Sequence, residues 1–222
     1  MPKAKIPIPI KMLFIGNSFT QRNDLPSLIT QMAAELPDSK VIESQRIVAN
    51  GASLRQHWNT GKALEAIQQS SWDYVVLQEQ STLPIKNTQR FHENVRLFHD
   101  EINRNGAQTA LYLTWARQNA PETQDALNRA TQAIANETGA LIVPVGLAWQ
   151  AALSEDRALE LYDKDGSHPS QAGSYLVACV FVAALLGQSP IGLCIPDSIQ
   201  LDDKSADMLQ RTAWQTVSVK SL

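Results

Sequence analysis

Two short stretches, far apart in the chain, carry residues that together could do nucleophilic chemistry. Ser18 follows an apolar run in KMLFIGNSFT, and Asp165 stands three residues before His168 in YDKDGSHPS. A serine hydroxyl becomes a nucleophile when a neighbouring base takes its proton and a third group orients that base. Gly166 permits a tight turn, so one loop could hold the Asp165 carboxylate against Nδ1 of the imidazole and leave Nε2 for the serine. These residue types therefore suit acyl transfer.

Each stretch also has a plainer structural explanation. Polar residues after an apolar run are typical of a turn that ends a strand, so Ser18 could have no further role. Asp165 and Gly166 are typical of a turn before a capping Ser170, with His168 incidental, and the second stretch taken alone favours this explanation. The identity of the acid is open as well. Asp163 is an alternative, although the D-x-x-H spacing favours Asp165.

The other three histidines are interpreted as structural. His92 and His99 stand seven positions apart and share one face of a predicted helix. No H-E-x-x-H motif accompanies them, which favours a solvated face over a metal pair. His57 directly precedes Trp58 and is expected to cover an apolar loop.

The elements that must position these residues alternate between short apolar runs and longer helical patterns. Nearly continuous apolar runs predict strands covered on both faces, as in a parallel sheet. The predicted strands are 11–16, 40–49, 73–78, 108–114 and 140–145. The predicted helices are one after an N-capping Asp24, with Pro26 in its first turn, and 62–70, 87–105, 121–138, 170–187 and 203–217. This pattern predicts an α/β fold, a three-layer α/β/α sandwich of about five parallel strands, in one domain over residues 1–222.

Functional residues of an open parallel sheet lie beyond the carboxyl ends of its strands. Ser18, the surroundings of Gly51 and Gln80, and the TWAR segment at 114–117 all follow predicted strand ends. Every loop on that edge shares this position, so the placement is consistent with a function but does not identify one.

The two stretches together resemble the SGNH (GDSL-like) hydrolase superfamily, in a divergent branch that has G-N-S-F. The superfamily places its nucleophile in a G-D-S or G-N-S turn after the first strand, and its base and acid in a D-x-x-H near the C-terminus. Gly16-Asn17-Ser18 and Asp165-Gly166-Ser167-His168 stand in that order, and the resemblance spans nearly the whole chain. It implies a flavodoxin-like sandwich, with Ser18 as nucleophile, His168 as general base and acid, and Asp165 as the orienting carboxylate.

The resemblance also implies an oxyanion hole, because acyl transfer needs donors where the carbonyl oxygen gathers charge. The Ser18 N–H and Gly51, in VANGASL, match two of the expected donors. The superfamily usually has G-x-N-D after strand three, whereas this chain reads VVLQEQSTLP. Gln80, or less favourably Gln78, would have to present the missing carboxamide. Without either, two donors remain and weak activity is expected.

The composition excludes several classes of function. The 19 basic and 22 acidic side chains give a net charge of −3, which would not gather nucleic acid. Two cysteines do not make a disulfide framework, and Cys179 fits the core face of an apolar helix. Prolines interrupt the N-terminal MPKAKIPIPIKMLF, and the apolar run at 175–187 is too short to span a bilayer. We therefore expect a cytoplasmic chain with no membrane partner, or a periplasmic or secreted one if a leader has been removed.

These residues favour a serine esterase that removes short acyl groups, such as acetyl, from a carbohydrate or small metabolite. No metal or cofactor is expected, and the oligomeric state is left open. Two alternatives remain: an O-acyltransferase that uses the same residues, and a non-catalytic binding protein, which the missing G-x-N-D block favours. The candidate substrate contacts are Asn17, Gln78, Trp115 as a pocket wall, and Arg117 as a partner for a carboxylate or hydroxyl.

Overall fold

The structure, a computed structural model, describes residues 9–36 and 41–218. The N-terminal stretch up to residue 8 and the predicted start of the second strand at residue 40 lie outside the described residues. Five strands are present in the described residues: β1 Ile10–Gly16, β2 Ile42–Val48, β3 Tyr74–Leu77, β4 Gln108–Tyr112 and β5 Leu141–Val143. They form one parallel sheet in the order β2-β1-β3-β4-β5.

Helices occupy most of the remaining described residues. They are α1 Ser18–Gln21, α2 Leu25–Ala34, α3 Leu54–Thr60, α4 Lys62–Gln69, α5 Leu83–Lys86, α6 Thr88–Arg104, α7 Gln124–Thr138, α8 Val145–Glu155, α9 Gln171–Leu186 and α10 Asp203–Ser218. Short 3₁₀ turns at Arg22–Asp24 and Pro121–Thr123 lead into α2 and α7. Among these helices in residues 9–36 and 41–218, none is long and apolar enough to cross a lipid bilayer.

The side chains of β1 divide the core between the two faces of the sheet. Met12 and Phe14 pack on one face and Leu13 and Ile15 on the other, because successive side chains of a strand point in opposite directions. Helices α2, α8, α9 and α10 cover the first face, and α3, α4, α6 and α7 cover the second. This arrangement confirms the predicted three-layer α/β/α fold.

Four helices lie where the sequence analysis placed none: α1, α3, α5 and α8. The strand predicted at 140–145 ends at Val143, because Pro144 has no N–H to continue the ladder, and Val145 begins α8. Helix α3 begins with a capping box, in which the Ser53 side chain accepts from the Gln56 N–H and the Gln56 side chain accepts from the Ser53 N–H.

Asp24 has a different role from the predicted N-cap. It precedes α2, but its φ of 49° is left-handed and its carboxylate makes no capping hydrogen bond. The carboxylate instead forms an ion pair with Arg46 of β2. The preceding Asn23 is also left-handed, with φ 51°, and its amide donates to Ser174 Oγ of α9 at 2.8 Å. The turn after α1 is therefore fastened to both β2 and α9.

Candidate active site

The turn after β1 presents Ser18 at the carboxyl edge of the sheet. The strand ends at Gly16, Asn17 is the N-cap of α1, and Ser18 is the first residue of that helix. Asn17 Oδ1 accepts from the Phe19 N–H at 3.1 Å, and its Nδ2 donates to the Ala52 carbonyl at 3.0 Å. Asn17 is buried and fully engaged, so the predicted substrate contact by Asn17 is wrong.

The structure brings Ser18, His168 and Asp165 into one chain of hydrogen bonds. His168 Nε2 lies 2.8 Å from Ser18 Oγ, and His168 Nδ1 lies 2.5 Å from Asp165 Oδ2. With Nδ1–H donating to the carboxylate, Nε2 carries the lone pair and accepts from the serine hydroxyl. Ser18 is half-buried, and the His168 side chain is 26% exposed. The arrangement can move a proton from the serine to the imidazole.

The loop before α9 fixes the Asp165 carboxylate. Its Oδ1 accepts from the N–H groups of Ser167 and His168, both at 2.9 Å, while Oδ2 faces the imidazole. Gly166 makes this turn possible with a φ of 66°. The His168 imidazole and these backbone donors hold the pKa of Asp165 well below its usual range. Asp165 is therefore a carboxylate, and its negative charge is present when the imidazole becomes protonated.

Asp163 occupies a different position from Asp165. Its Oδ2 lies 3.0 Å from Arg22 Nη2, and its Oδ1 accepts from the Lys164 N–H. Its backbone N–H donates to the His168 carbonyl at 2.8 Å. Asp163 therefore supports the backbone of the loop, and Asp165 is the carboxylate that meets the imidazole.

An open cavity of about 670 Å³ lies over Ser18 and His168. Its other lining residues are Gln21, Arg22, Asn23, Asn50 and Gly51. The sequence analysis did not single out Gln21, Arg22, Asn23 or Asn50, although each lies within five residues of Ser18 or next to Gly51. Each lining residue is a glycine or has a polar side chain, so hydrogen-bonding groups surround the serine.

Two of the residues that line this cavity have backbone N–H groups without a partner in the part of the chain that the structure describes. In the described residues, the N–H groups of Ser18 and Gly51 have no protein acceptor. Gly51 has a φ of 66°, and a Cβ added there would meet no atom within 4 Å. The glycine is therefore required by its backbone conformation and not by a lack of space.

Gln78 braces the nucleophile turn from below. It is fully buried, and its Oε1 accepts from the Asn17 N–H at 2.8 Å and from Thr20 Oγ1 at 3.1 Å. Its Nε2 donates to the Glu79 carbonyl at 2.6 Å. A Cβ on Gly16 would lie 2.6 Å from Gln78 Oε1, so the brace also requires that glycine. The prediction that Gln78 contacts the oxyanion or the substrate is wrong, because every polar atom of its side chain is already bonded.

Glu79 holds the loop that contains Gly51. Its Oε1 accepts from the N–H groups of Leu54 and Gln80 at 3.0 and 2.7 Å, and its Oε2 accepts from Asn94 Nδ2 at 2.8 Å. Burial raises the pKa of the Glu79 carboxyl, and the hydrogen bonds from Asn94, Gln80 and Leu54 act against that rise. Glu79 is 5% exposed, so its carboxylate is a buried structural partner of these groups.

Gln80 does not line the cavity over Ser18. Its Oε1 accepts from Thr82 N–H and from Thr82 Oγ1, both at 3.0 Å, and so caps the turn before α5. The predicted exchange of the superfamily asparagine for Gln80 therefore has no support in the lining of this cavity. Asn50 is the carboxamide that lies beside Gly51.

Trp115 and Arg117 also lie outside the lining of this cavity. Trp115 is 2% exposed, stacks on Phe19 and Trp149 with centroids 5.0 and 3.9 Å apart, and donates from Nε1 to the Ser167 carbonyl at 3.0 Å. The prediction that Trp115 forms a wall of the serine pocket is wrong. It supports the loop of His168 from inside, and it borders a second cavity together with Arg117.

The remaining histidines make backbone and side-chain hydrogen bonds. His57 is buried, with Nε2 2.7 Å from the Gly16 carbonyl, and burial lowers its pKa. His92 Nε2 lies 2.8 Å from the Ala130 carbonyl, and His99 Nδ1 lies 3.0 Å from Thr109 Oγ1. Both side chains are half-buried, because α7 and β4 each contact one of them, so the face predicted to be solvated is only partly exposed to solvent at these two positions.

Solved structures that resemble this chain include several hydrolases. A protein described as an SGNH hydrolase from Slackia heliotrinireducens matches with a TM-score of 0.70 at 26% identity, over 80% of this chain and 100% of that chain. A DUF4886 family protein from Bacteroides uniformis ATCC 8492 matches with a TM-score of 0.77 at 18% identity, over 96% of each chain. The acetylxylan esterase Axe2 from Geobacillus stearothermophilus matches with a TM-score of 0.66 at 20% identity, over 82% of this chain and 96% of that chain.

These similarities define the fold. No protein-family model matches the sequence, and no curated protein matches it significantly. The similar structures show that the chain has the SGNH (GDSL-like) hydrolase fold, which confirms the resemblance stated from its sequence.

Proposed function

We propose that this SGNH-fold chain is a serine esterase that hydrolyses short-chain O-esters, of the acetyl type, on a carbohydrate or small metabolite. The observation that carries the proposal is the continuous contact from Ser18 Oγ through the His168 imidazole to Asp165, with distances of 2.8 and 2.5 Å. Its structural neighbours support hydrolysis of esters, since they include an acetylxylan esterase and a GDSL-like lipase.

In the first half of the reaction, Ser18 Oγ attacks the ester carbonyl carbon while His168 Nε2 takes the hydroxyl proton. The carbonyl electron pair moves to oxygen, and the N–H groups of Ser18 and Gly51 would donate hydrogen bonds to that oxyanion. The tetrahedral intermediate then breaks its bond to the alcohol, and His168 returns the proton to that leaving oxygen. The products are a free alcohol and an acyl group on Ser18.

In the second half, water takes the place of the alcohol. His168 removes a proton from the water as its oxygen attacks the acyl carbon, and then protonates Ser18 Oγ as that bond breaks. A carboxylic acid leaves and the serine hydroxyl is restored. Asp165 keeps its charge throughout and stabilises the imidazolium that forms in each half.

The cavity supports a small acyl group on a polar alcohol. Its lining offers the amides of Asn50 and Gln21 and the guanidinium of Arg22, which can hydrogen-bond to hydroxyl groups. A lipase would need an apolar groove to hold its acyl chain.

A covalent probe tests the proposal directly. We expect a fluorophosphonate to add one adduct to the wild-type protein and none to Ser18→Ala, as measured by intact mass. Absence of an adduct on both proteins would favour a non-catalytic binding protein. An adduct followed by hydrolysis of acetylated sugars supports the esterase, whereas accumulation of a new ester with an added alcohol acceptor would indicate the O-acyltransferase.

A further inference from the structure

A second cavity lies at the same edge of the sheet, between the loops that follow β3 and β4. Its volume is about 160 Å³. Four side chains give it an apolar interior: Ile85, Trp115, Ala116 and Leu127. Trp115, Ala116 and Leu127 are at least 94% buried, so these three side chains are held in place by the packing of the fold.

Two cationic side chains, Lys86 and Arg117, border this apolar interior. Both residues are exposed, and neither forms an ion pair with any carboxylate in the residues that the structure describes. A guanidinium binds a carboxylate through two parallel hydrogen bonds, and an ammonium adds a second positive charge. The rim therefore offers positive charge to an anionic ligand.

The volume limits the apolar part of the ligand. An apolar cavity of about 150 Å³ in another protein accepts benzene, so a cavity of this size holds one six-membered ring or a branched chain of similar bulk. We propose that this cavity binds a small aromatic or branched carboxylic acid, with its apolar body against Trp115 and Leu127 and its carboxylate at Lys86 and Arg117. This binding does not depend on the esterase activity proposed for Ser18.

The Trp115 side chain connects this cavity to the candidate active site. Trp115 donates to the Ser167 carbonyl beside His168 and stacks on Phe19 beside Ser18. The Gln118 N–H also donates to the Gly166 carbonyl at 2.9 Å, which ties the loop of Arg117 to the loop of Asp165. A ligand held at Trp115 and Arg117 therefore contacts residues that position the base.

Calorimetric titration of the Ser18→Ala protein tests the binding without catalysis. Phenylacetate carries the ring and the charge, 2-phenylethanol keeps the ring alone, and acetate keeps the charge alone. We expect phenylacetate to bind about tenfold or more tightly than either of the others, because a charge-assisted hydrogen bond is lost in one case and the apolar contact in the other. Equal affinity for phenylacetate and 2-phenylethanol, or no binding of phenylacetate, would overturn the proposal.

Two exposed substitutions locate the binding. Arg117→Gln and Lys86→Gln should each weaken phenylacetate binding several-fold, while Arg129→Gln, an exposed arginine on α7 that does not line the cavity, should leave it unchanged. An equal loss in all three variants would indicate non-specific attraction and would refute the site.

Kinetics of the wild-type protein distinguish two ligands that could supply the carboxylate: the ester substrate itself or a separate molecule. Competition of phenylacetate with an ester substrate would identify the cavity as the place for an acidic part of that substrate. A change in kcat with KM unaltered would identify a separate ligand that acts through Trp115. If the wild-type protein has no esterase activity, the calorimetric result still decides the binding proposal, so the two proposals fail separately.

Discussion

Gln78 Oε1 lies 2.8 Å from the backbone nitrogen of Asn17, which joins the end of β3 to the residue before Ser18. The bond is buried, and it takes the place of any contact that this glutamine could make with a substrate. The QEQ segment after β3 therefore positions the site from behind: Gln78 holds the nucleophile turn, and Glu79 holds the start of α3 behind Gly51.

Substitution of Gln78 by alanine should lower kcat about 10²-fold with little change in KM, because a displacement of about 1 Å at the nucleophile costs that much in rate. The measurement is steady-state kinetics on the folded protein together with its thermal midpoint. Gln210→Ala is the matched control, since Gln210 is equally buried and bonded but contacts Tyr175, Gly192 and Leu193. If both variants lose the same kcat at the same loss of stability, Gln78 has no positioning role.

Asp165→Asn should lower kcat about 10³–10⁴-fold, because the neutral amide no longer stabilises the imidazolium or fixes its tautomer. Asp163→Asn should change kcat by less than about tenfold, since it removes only an exposed ion pair with Arg22. Kinetics on the two variants side by side decides between the carboxylates. A larger loss in Asp163→Asn would reverse the assignment.

Gly51→Ala should lose activity as well as stability. Its left-handed φ makes alanine strained by about 1–2 kcal/mol, and any shift of the backbone moves the N–H that would face the oxyanion. Gly139→Ala carries the same strain, with φ 73° and no atom within 4 Å of the added Cβ, but lies at the end of α7. We expect similar loss of stability in both and a fall in kcat in Gly51→Ala alone. An unchanged kcat in both variants would show that the Gly51 N–H does not stabilise the oxyanion.

His57 should make the protein less stable in acid. Burial lowers its pKa in the folded state, so the unfolded chain binds a proton first as the pH falls below the ordinary value of 6.5. The stability contributed by neutral His57 is complete above that value and is lost as the pH falls through the lowered one. The free energy of unfolding should therefore fall more steeply between about pH 6.5 and 5 in wild type than in His57→Gln, as measured by urea titration. Parallel slopes would show that His57 titrates equally in both states.

Local patterns in the sequence predicted the parts of the molecule that local chemistry determines. Apolar runs predicted β1, β3, β4 and β5, because a strand covered on both faces needs them. The edge strand β2 was also predicted, although its residues 43–46 are exposed. The D-x-x-H loop was recognisable because Asp165, Gly166 and His168 contact one another across three residues. Helices α1, α3, α5 and α8 were missed. The first three have only four to seven residues, and α8 begins inside the run predicted as the fifth strand.

Contacts between distant residues could not be predicted in the same way. Gln78 and Asn17 are 61 positions apart, and Glu79 meets Leu54 and Asn94 from two other elements. The sequence shows that QEQ contains two amides and a carboxylate, but the partners of these side chains depend on which strands and helices lie next to β3. The spacing of His92 and His99 likewise indicated one helix face, but it contained no information about what covers that face.

Ser18 and His168 lie 150 positions apart in the chain, yet their side chains touch. Their contact therefore requires that β1 and the loop before α9 have both reached their final places. A refolding experiment could use this: at intervals after dilution from urea, a brief pulse of fluorophosphonate would mark only molecules in which the two segments have docked. The labelled fraction of Ser18 would then report the rate at which these two segments dock during refolding.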